Sequence, residues 1–130
     1  WLFHHGYLKK SEKAEYEQIK KLYADSHFFM MPSLAENFGI VDAEASAYGL
    51  PCIASKTGGV SAAVKHLANG LLFEPSSPPK EIADTIGRIW SNKSSYVDLC
   101  QKARLEYETR LNWETNCRIV IQQFADKYHL

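Results

Sequence analysis

An α/β domain with a parallel, doubly wound sheet flanked by helices, closed by a helical C-terminal tail, is the fold class this sequence predicts. Two observations carry that reading. Short apolar runs alternate with segments of helical periodicity through the first two-thirds of the chain, and the last third is helical throughout. Turn residues punctuate the joins, as Gly49-Leu50-Pro51 and Asn69-Gly70 do.

Taken in order, Leu2-Phe3-His4-His5 reads as a strand entering a turn at Gly6. Charged residues dominate the polar positions of 12–25, but Ile19, Leu22 and Tyr23 recur at three- and four-residue spacing and mark one buried helical face. His27-Phe28-Phe29-Met30-Met31 is a continuous apolar run stopped by Pro32, the pattern of a central parallel strand covered on both faces. Residues 40–48 form an alanine-rich helix ended by Gly49, with Pro51 just beyond. Cys52-Ile53-Ala54-Ser55 is the next strand, followed by Gly58-Gly59 and a short helix through His66. Asn69-Gly70 turns into the strand Leu71-Leu72-Phe73. Ser77 is placed to cap a helix with Pro78 in its first turn and an apolar stripe of Ile82, Ile86, Ile89 and Trp90. Helices over 94–110 and 113–128 follow, with Asn112 as the cap between them. Trp90, Trp113 and Phe124 read as core or docking residues.

Length and composition set limits. The 130 residues make one domain, 1–130, with an ordinary globular balance of 45% hydrophobic and 23% charged residues. Fifteen basic residues offset fifteen acidic ones, so net charge offers nothing to nucleic acid. An anionic ligand must then be held by local devices such as helix N-termini. Cys52, Cys100 and Cys117 are odd in number and widely spaced, so they read as reduced, buried small hydrophobes of a cytoplasmic protein. No Asp-x-Asp pair or His/Cys ligand cluster is present, which leads us to expect neither a metal nor a cofactor. The first residue is Trp1, with no basic n-region behind it, and the chain reads as an excised segment.

Chemistry concentrates where the second apolar run gives way to a helix, from Pro32 through Glu36-Asn37-Phe38-Gly39-Ile40 to Glu44. Gly39 lets a ligand approach the backbone, and the unpaired N–H groups of the new helix favour a diphosphate. Glu44 lies four residues after Ile40, on the same helix face and roughly 6 Å along the axis. Its carboxylate can accept two hydrogen bonds from the vicinal diol of a ribose. Ala43, Ala45 and Ala47 beside it would leave room for a docked group. Glu36, in the loop, can reach the hydroxyls of a sugar beyond the phosphates. Each feature also has a plain reading: Glu36 as a solvated loop acid, Gly39 as a turn glycine, Glu44 as a helix acid paired to a lysine. It is their order along the chain that points to a nucleotide sugar.

Glu36-x7-Glu44 enclosing Phe38-Gly39, then Gly49-Leu50-Pro51 and Thr57-Gly58-Gly59-Val60, resembles the C-terminal domain of retaining glycosyltransferases of the GT-B fold, the group 1 or family 4 class. The likeness covers nearly the whole chain. It implies a Rossmann-like donor domain in which a catalytic Glu36 contacts the transferred hexose. Asn37, Phe38, Gly39 and Ile40 would touch the sugar and diphosphate, and Glu44 would hold the ribose. Tyr7 and Leu8, beside the Gly6 turn, would lie near the nucleobase, while Gly58 and Gly59 would line the cleft. It further implies metal-independent transfer with retention, a separate acceptor-binding domain, and an isolated chain that binds donor weakly without turnover. Peripheral association of the whole enzyme with the inner face of a membrane stays open at this point.

The chain departs from that pattern in two respects. The basic pair that neutralises the leaving diphosphate in the family has no counterpart here, and Lys9, Lys10 and Lys56 read as solvated surface lysines. Ser61-Ala62-Ala63 stand where many relatives carry a glutamate after the double glycine. A dinucleotide-binding dehydrogenase needs Gly-x-Gly-x-x-Gly after a strand, which is absent. A non-catalytic α/β interaction module has no use for two acids around an open glycine turn. A sugar-nucleotide epimerase shares the general fold and would take the same ligand class.

Overall fold

Three parallel strands organise the molecule, which is described by a computed structural model over residues 2–128. Strand β2 (Cys52–Ser55) lies between β1 (Phe29–Met31) and β3 (Gly70–Phe73). Phe29 registers with Cys52 and Cys52 with Gly70, so one line crosses all three strands. All four β2 residues are buried, and alternate side chains serve opposite faces. Cys52 and Ala54 point to a cluster with Ala45, Leu50, Val60, Ala63 and Val64, while Ile53 joins Leu71 and Phe73 on the other face.

Helices cover both faces. On one side stand α1 (Lys13–Asp25), which contributes Tyr23, then α2 (Ile40–Ala47) and the single turn α3 (Val60–Ala63). On the other, α4 (Pro79–Ser91) lays Ile82, Ile86 and Ile89 against Ile53 and Leu71. The chain then runs through α5 (Lys93–Glu106), a π-helical turn (Tyr107–Leu111) and α6 (Trp113–Tyr128). Gly49 takes the left-handed conformation expected after α2, at φ +69°. A Cβ there would also crowd the Cys100 carbonyl at 3.3 Å, so α5 packs onto the end of α2. Arg104 donates to the Ala47 carbonyl and Arg110 to those of Ala62 and Ala63, placing cations at the carbonyl ends of α2 and α3.

Buried Asn69 does more than turn the chain. Its Oδ1 accepts from the Lys65 N–H at 2.7 Å, and its Nδ2 donates to the Ala63 carbonyl at 2.8 Å and to Ser46 Oγ at 3.5 Å. One side chain thereby ties α2, the end of α3 and the start of β3.

Several sequence expectations need correcting. Residues 2–5 form no strand: the segment has no ladder partner among the described residues, and Leu2 and Phe3 are exposed. The apolar run 27–31 contributes only a three-residue strand, at the sheet edge rather than its centre, with Met30 half exposed. An apolar run reports burial of faces but carries no information on how many neighbours a strand has. Ser77 is not the cap of α4. Pro78 precedes the first turn in an extended conformation, because a residue followed by proline avoids the helical region, and Pro79 opens the helix. The helix expected over 94–110 gives way to the π turn at Tyr107, while Asn112 caps α6 as expected by accepting from Thr115 N–H at 2.8 Å. Trp113 and Phe124 are exposed, so neither is a core residue. Cys52 is buried and Cys100 half-buried, but Cys117 faces solvent on α6.

Candidate functional site

Because β1 and β2 are parallel neighbours, Met31 and Ser55 release the chain on the same edge of the sheet. In open α/β sheets ligands bind outside the carboxyl ends of the strands. Loop 32–39 leads from β1 into α2, and loop 56–59 leads from β2 into α3. The two loops touch. Gly59 N–H donates to the Asn37 carbonyl at 2.8 Å, and Thr57 Oγ1 donates to the Leu34 carbonyl at 3.1 Å. A Cβ on Gly58 would stand 1.8 Å from the Glu36 carbonyl oxygen, and one on Gly59 would stand 2.2 Å from that of Asn37. The double glycine thus serves a backbone-to-backbone approach that holds the Glu36–Asn37 segment in place.

At the start of α2, Gly39 is left-handed, at φ +83°. Its carbonyl accepts from Asp42 and Ala43, which begins the helix. The N–H groups of Gly39, Ile40 and Val41 find no acceptor among the described residues and are available to an anion. Gly39 itself is buried, but Phe38 and Ile40 on either side are exposed, Ile40 by 62%, so the turn reaches solvent through them. Glu36 sits half-buried, its Oε1 accepting the Asn37 N–H at 2.8 Å, and Asn37 itself is exposed. That bond fixes one carboxylate oxygen and leaves the other for a ligand hydroxyl.

Glu44 projects from α2 with about a third of its side chain exposed, and its carboxylate is already engaged. Lys10 pairs with Oε1, and the Tyr23 hydroxyl donates to Oε2 at 3.3 Å. Tyr23 is itself stacked on Tyr48, with ring centroids 5.2 Å apart. Burial, helped by the Glu44 charge, pushes the Tyr23 phenol well above its usual range, so it stays a hydrogen-bond donor. Lys10 is therefore no mere solvated lysine, whereas Lys56 pairs across the surface with Glu74 at 3.2 Å. The Lys10 contact brings the stretch holding Tyr7 and Leu8 towards α2; Tyr7 is fully open and Leu8 half-buried. Ala43 and Ala45 do not make room for a ligand. Both are buried, and Ala45 packs against Leu50 and Cys52, so small residues here let α2 approach the sheet.

Asp42 is the residue that sequence reasoning missed. It belongs to the first turn of α2, where an acid ordinarily favours the helix from the surface. Here it is 1% exposed, and neither carboxylate oxygen has a partner. Burial raises its carboxyl to about 6, with the neighbouring Cys52 thiol opposing the rise and the Glu36 charge adding to it. The Cys52 thiol beside it is likewise pushed up by burial and donates to the Asp42 main-chain carbonyl at 3.4 Å. An acid three residues into a helix gave no sign in the sequence that it would turn inward.

Two acids, an open helix start and paired glycine loops thus meet at one sheet edge. A family profile described as glycosyl transferases group 1 matches residues 9–106, which holds every element from α1 to α5. The chain belongs to the group 1 glycosyltransferases. Sucrose-phosphate synthase 4 of Arabidopsis thaliana is 36% identical over 114 residues, 87% of this chain and 11% of that protein. Among solved structures, sucrose-phosphate synthase from Thermosynechococcus elongatus superposes with a TM-score of 0.71 at 30% identity, over 88% of this chain and 28% of its own. The Anabaena protein HepE, crystallised in complex with UDP-glucose, superposes with a TM-score of 0.70 at 26% identity, over 83% of this chain and 30% of its own. This group 1 chain therefore spans about a tenth of the plant relative and under a third of the solved proteins, and its GT-B-type, Rossmann-like sheet is shared with them. No described helix is long and apolar enough to cross a membrane.

Proposed function

We propose that this chain is the donor-binding domain of a glycosyltransferase, which transfers a hexose-type sugar from a nucleotide diphosphate sugar to an acceptor with retention. The observation that carries the reading is the open first turn of α2, where three unpaired N–H groups lie between Glu36 and Glu44. In this reading the N–H groups of Gly39, Ile40 and Val41 receive the diphosphate. Glu36 meets the hydroxyls of the transferred sugar through its second oxygen. Phe38 and Asn37 border that sugar, and Glu44 exchanges Lys10 for the ribose diol while Tyr23 holds its other oxygen. Tyr7 and Leu8 flank the nucleobase.

Cleavage of the sugar–phosphate bond builds negative charge on the leaving diphosphate and positive charge on the sugar. Helix dipoles already aimed at the diphosphate lower that barrier without reorganising during the reaction. The carboxylate of Glu36 lies on the sugar side, where it favours an oxocarbenium-like centre. The acceptor would come from a second, acceptor-binding domain, in keeping with the small share of its relatives that this chain spans.

Calorimetric titration with UDP-glucose tests the reading. UDP-glucose should bind, NAD should give no heat, and Glu44→Ala should weaken UDP-glucose about tenfold, the worth of one charge-assisted hydrogen bond. Equal affinity of wild type and Glu44→Ala, or no binding at all, would refute it.

A further inference from the structure

Asp42 stands apart from the roles given above. Its neighbours are unusually sparse in compensation: Glu36 faces it from the preceding loop, Cys52 from β2, Tyr23 from α1, and Glu44 shares its helix. Two of these are acids, and the other two are held neutral by burial. Lys10, the cation nearby, is taken by Glu44. Gly39 is shaped around the same carboxyl, since a Cβ at that position would meet Asp42 Oδ2 at 2.3 Å. The buried, unpartnered acid and the open N–H groups of the anion site are thus the two sides of one helical turn.

We propose that Asp42 is a specificity-determining residue of the donor site, which admits the diphosphate when this side chain is a neutral acid and resists it when the side chain is charged. The inference rests on the donor-site reading above and adds to it a coupled proton. An ionised Asp42 would place a negative charge a few ångströms behind the N–H groups, in surroundings that screen it poorly, and would oppose a second anion in front of them. Binding to the ionised form therefore takes up one proton from solvent, with Asp42 gaining an O–H as the diphosphate docks. The turn gives up the single carboxylate charge as it receives the two charges of the diphosphate. No bond in the ligand changes.

The test is calorimetric binding of UDP-glucose from pH 5.5 to 8, using wild type and Asp42→Asn. UDP-glucose has no group that titrates in this range, so any proton exchanged belongs to the protein. Wild-type association should be constant at the acid end. It should then fall with a slope approaching tenfold per pH unit above the pH at which Asp42 ionises in the unliganded chain. Buffers of different ionisation heat should report uptake approaching one proton per ligand at pH 7. Asp42→Asn should bind with a flat profile near the wild-type acid limit. Should Asp42→Asn unfold, Asp42→Ser takes its place in the same series. A pH-independent wild type, or a slope that survives in Asp42→Asn, overturns the proposal while leaving the donor site intact. No binding by wild type at any pH removes the donor-site reading and this inference with it.

Discussion

Replacing Gly58 by alanine tests the contact that shapes the site. Gly58 has φ +50°, and an L-residue there costs about 1–2 kcal/mol from its own backbone alone. The new methyl group would start 1.8 Å from the Glu36 carbonyl oxygen, against about 3.4 Å for ordinary contact, so the two loops must part by about 1.6 Å. Neither contacting atom belongs to a flexible side chain, so the whole Glu36–Asn37 segment has to shift. Together these effects should destabilise the domain by about 2–4 kcal/mol and lower its melting temperature by about 10 °C. UDP-glucose affinity should fall about tenfold or more, because the Gly59–Asn37 hydrogen bond and the Glu36 carboxylate move with the loop. Gly6→Ala is the control: its φ is +71° but no atom lies within 4 Å of its Cβ, so only the backbone cost of about 1–2 kcal/mol applies. Thermal melts of both variants, read by circular dichroism, make the comparison. Equal melting temperatures for Gly58→Ala and Gly6→Ala would refute the loop contact.

Asn69→Ala should cost about 1–3 kcal/mol in urea unfolding, since the part-buried Lys65 N–H loses its acceptor and the Ala63 carbonyl is left to Arg110 alone; a change below about 0.5 kcal/mol would contradict the tie between α2, α3 and β3. Asp42→Asn has a pH-dependent effect on stability. The folded-state value of Asp42, about 6, lies above its ordinary 3.8, so the native chain holds the proton more tightly than the unfolded one. Wild-type stability should therefore fall as pH rises from about 4 to 6 and then level off. Asp42→Asn, which cannot ionise, should gain on wild type by about 2–3 kcal/mol at pH 8 and by little at pH 4. A difference that does not change between the two pH values would place Asp42 in contact with solvent or a cation.

How much of this was legible in the sequence follows from the range of each interaction. Strand β2 was readable because Gly49 and Pro51 end the helix before it and four small or apolar residues follow. The α2 start was readable for the same local reasons, since a positive-φ glycine after an acidic loop announces itself. The strand misread over residues 2–5 shows the opposite case: apolarity is local, but a ladder needs a partner far along the chain, and none of the described residues supplies one. Glu44 could be placed on its helix face, yet Lys10 and Tyr23 lie 34 and 21 residues away, so its partners were out of reach. The alanines around it looked like space for a ligand, because sequence gives size but not direction. Asp42 was hidden for that reason too. Three residues into a helix, an acid reads as a favourable surface charge until the fold turns it towards Cys52.

The central claim, that an anionic sugar nucleotide docks at the carboxyl edge of β1 and β2, is tested most directly by amide chemical shifts of the 15N-labelled chain titrated with UDP-glucose. The account expects the largest shifts at Gly39, Ile40 and Val41, with Glu44, Gly58 and Gly59 following at the same ligand concentrations. Shifts confined to α4 and α6, with the α2 turn unmoved at saturation, would contradict it.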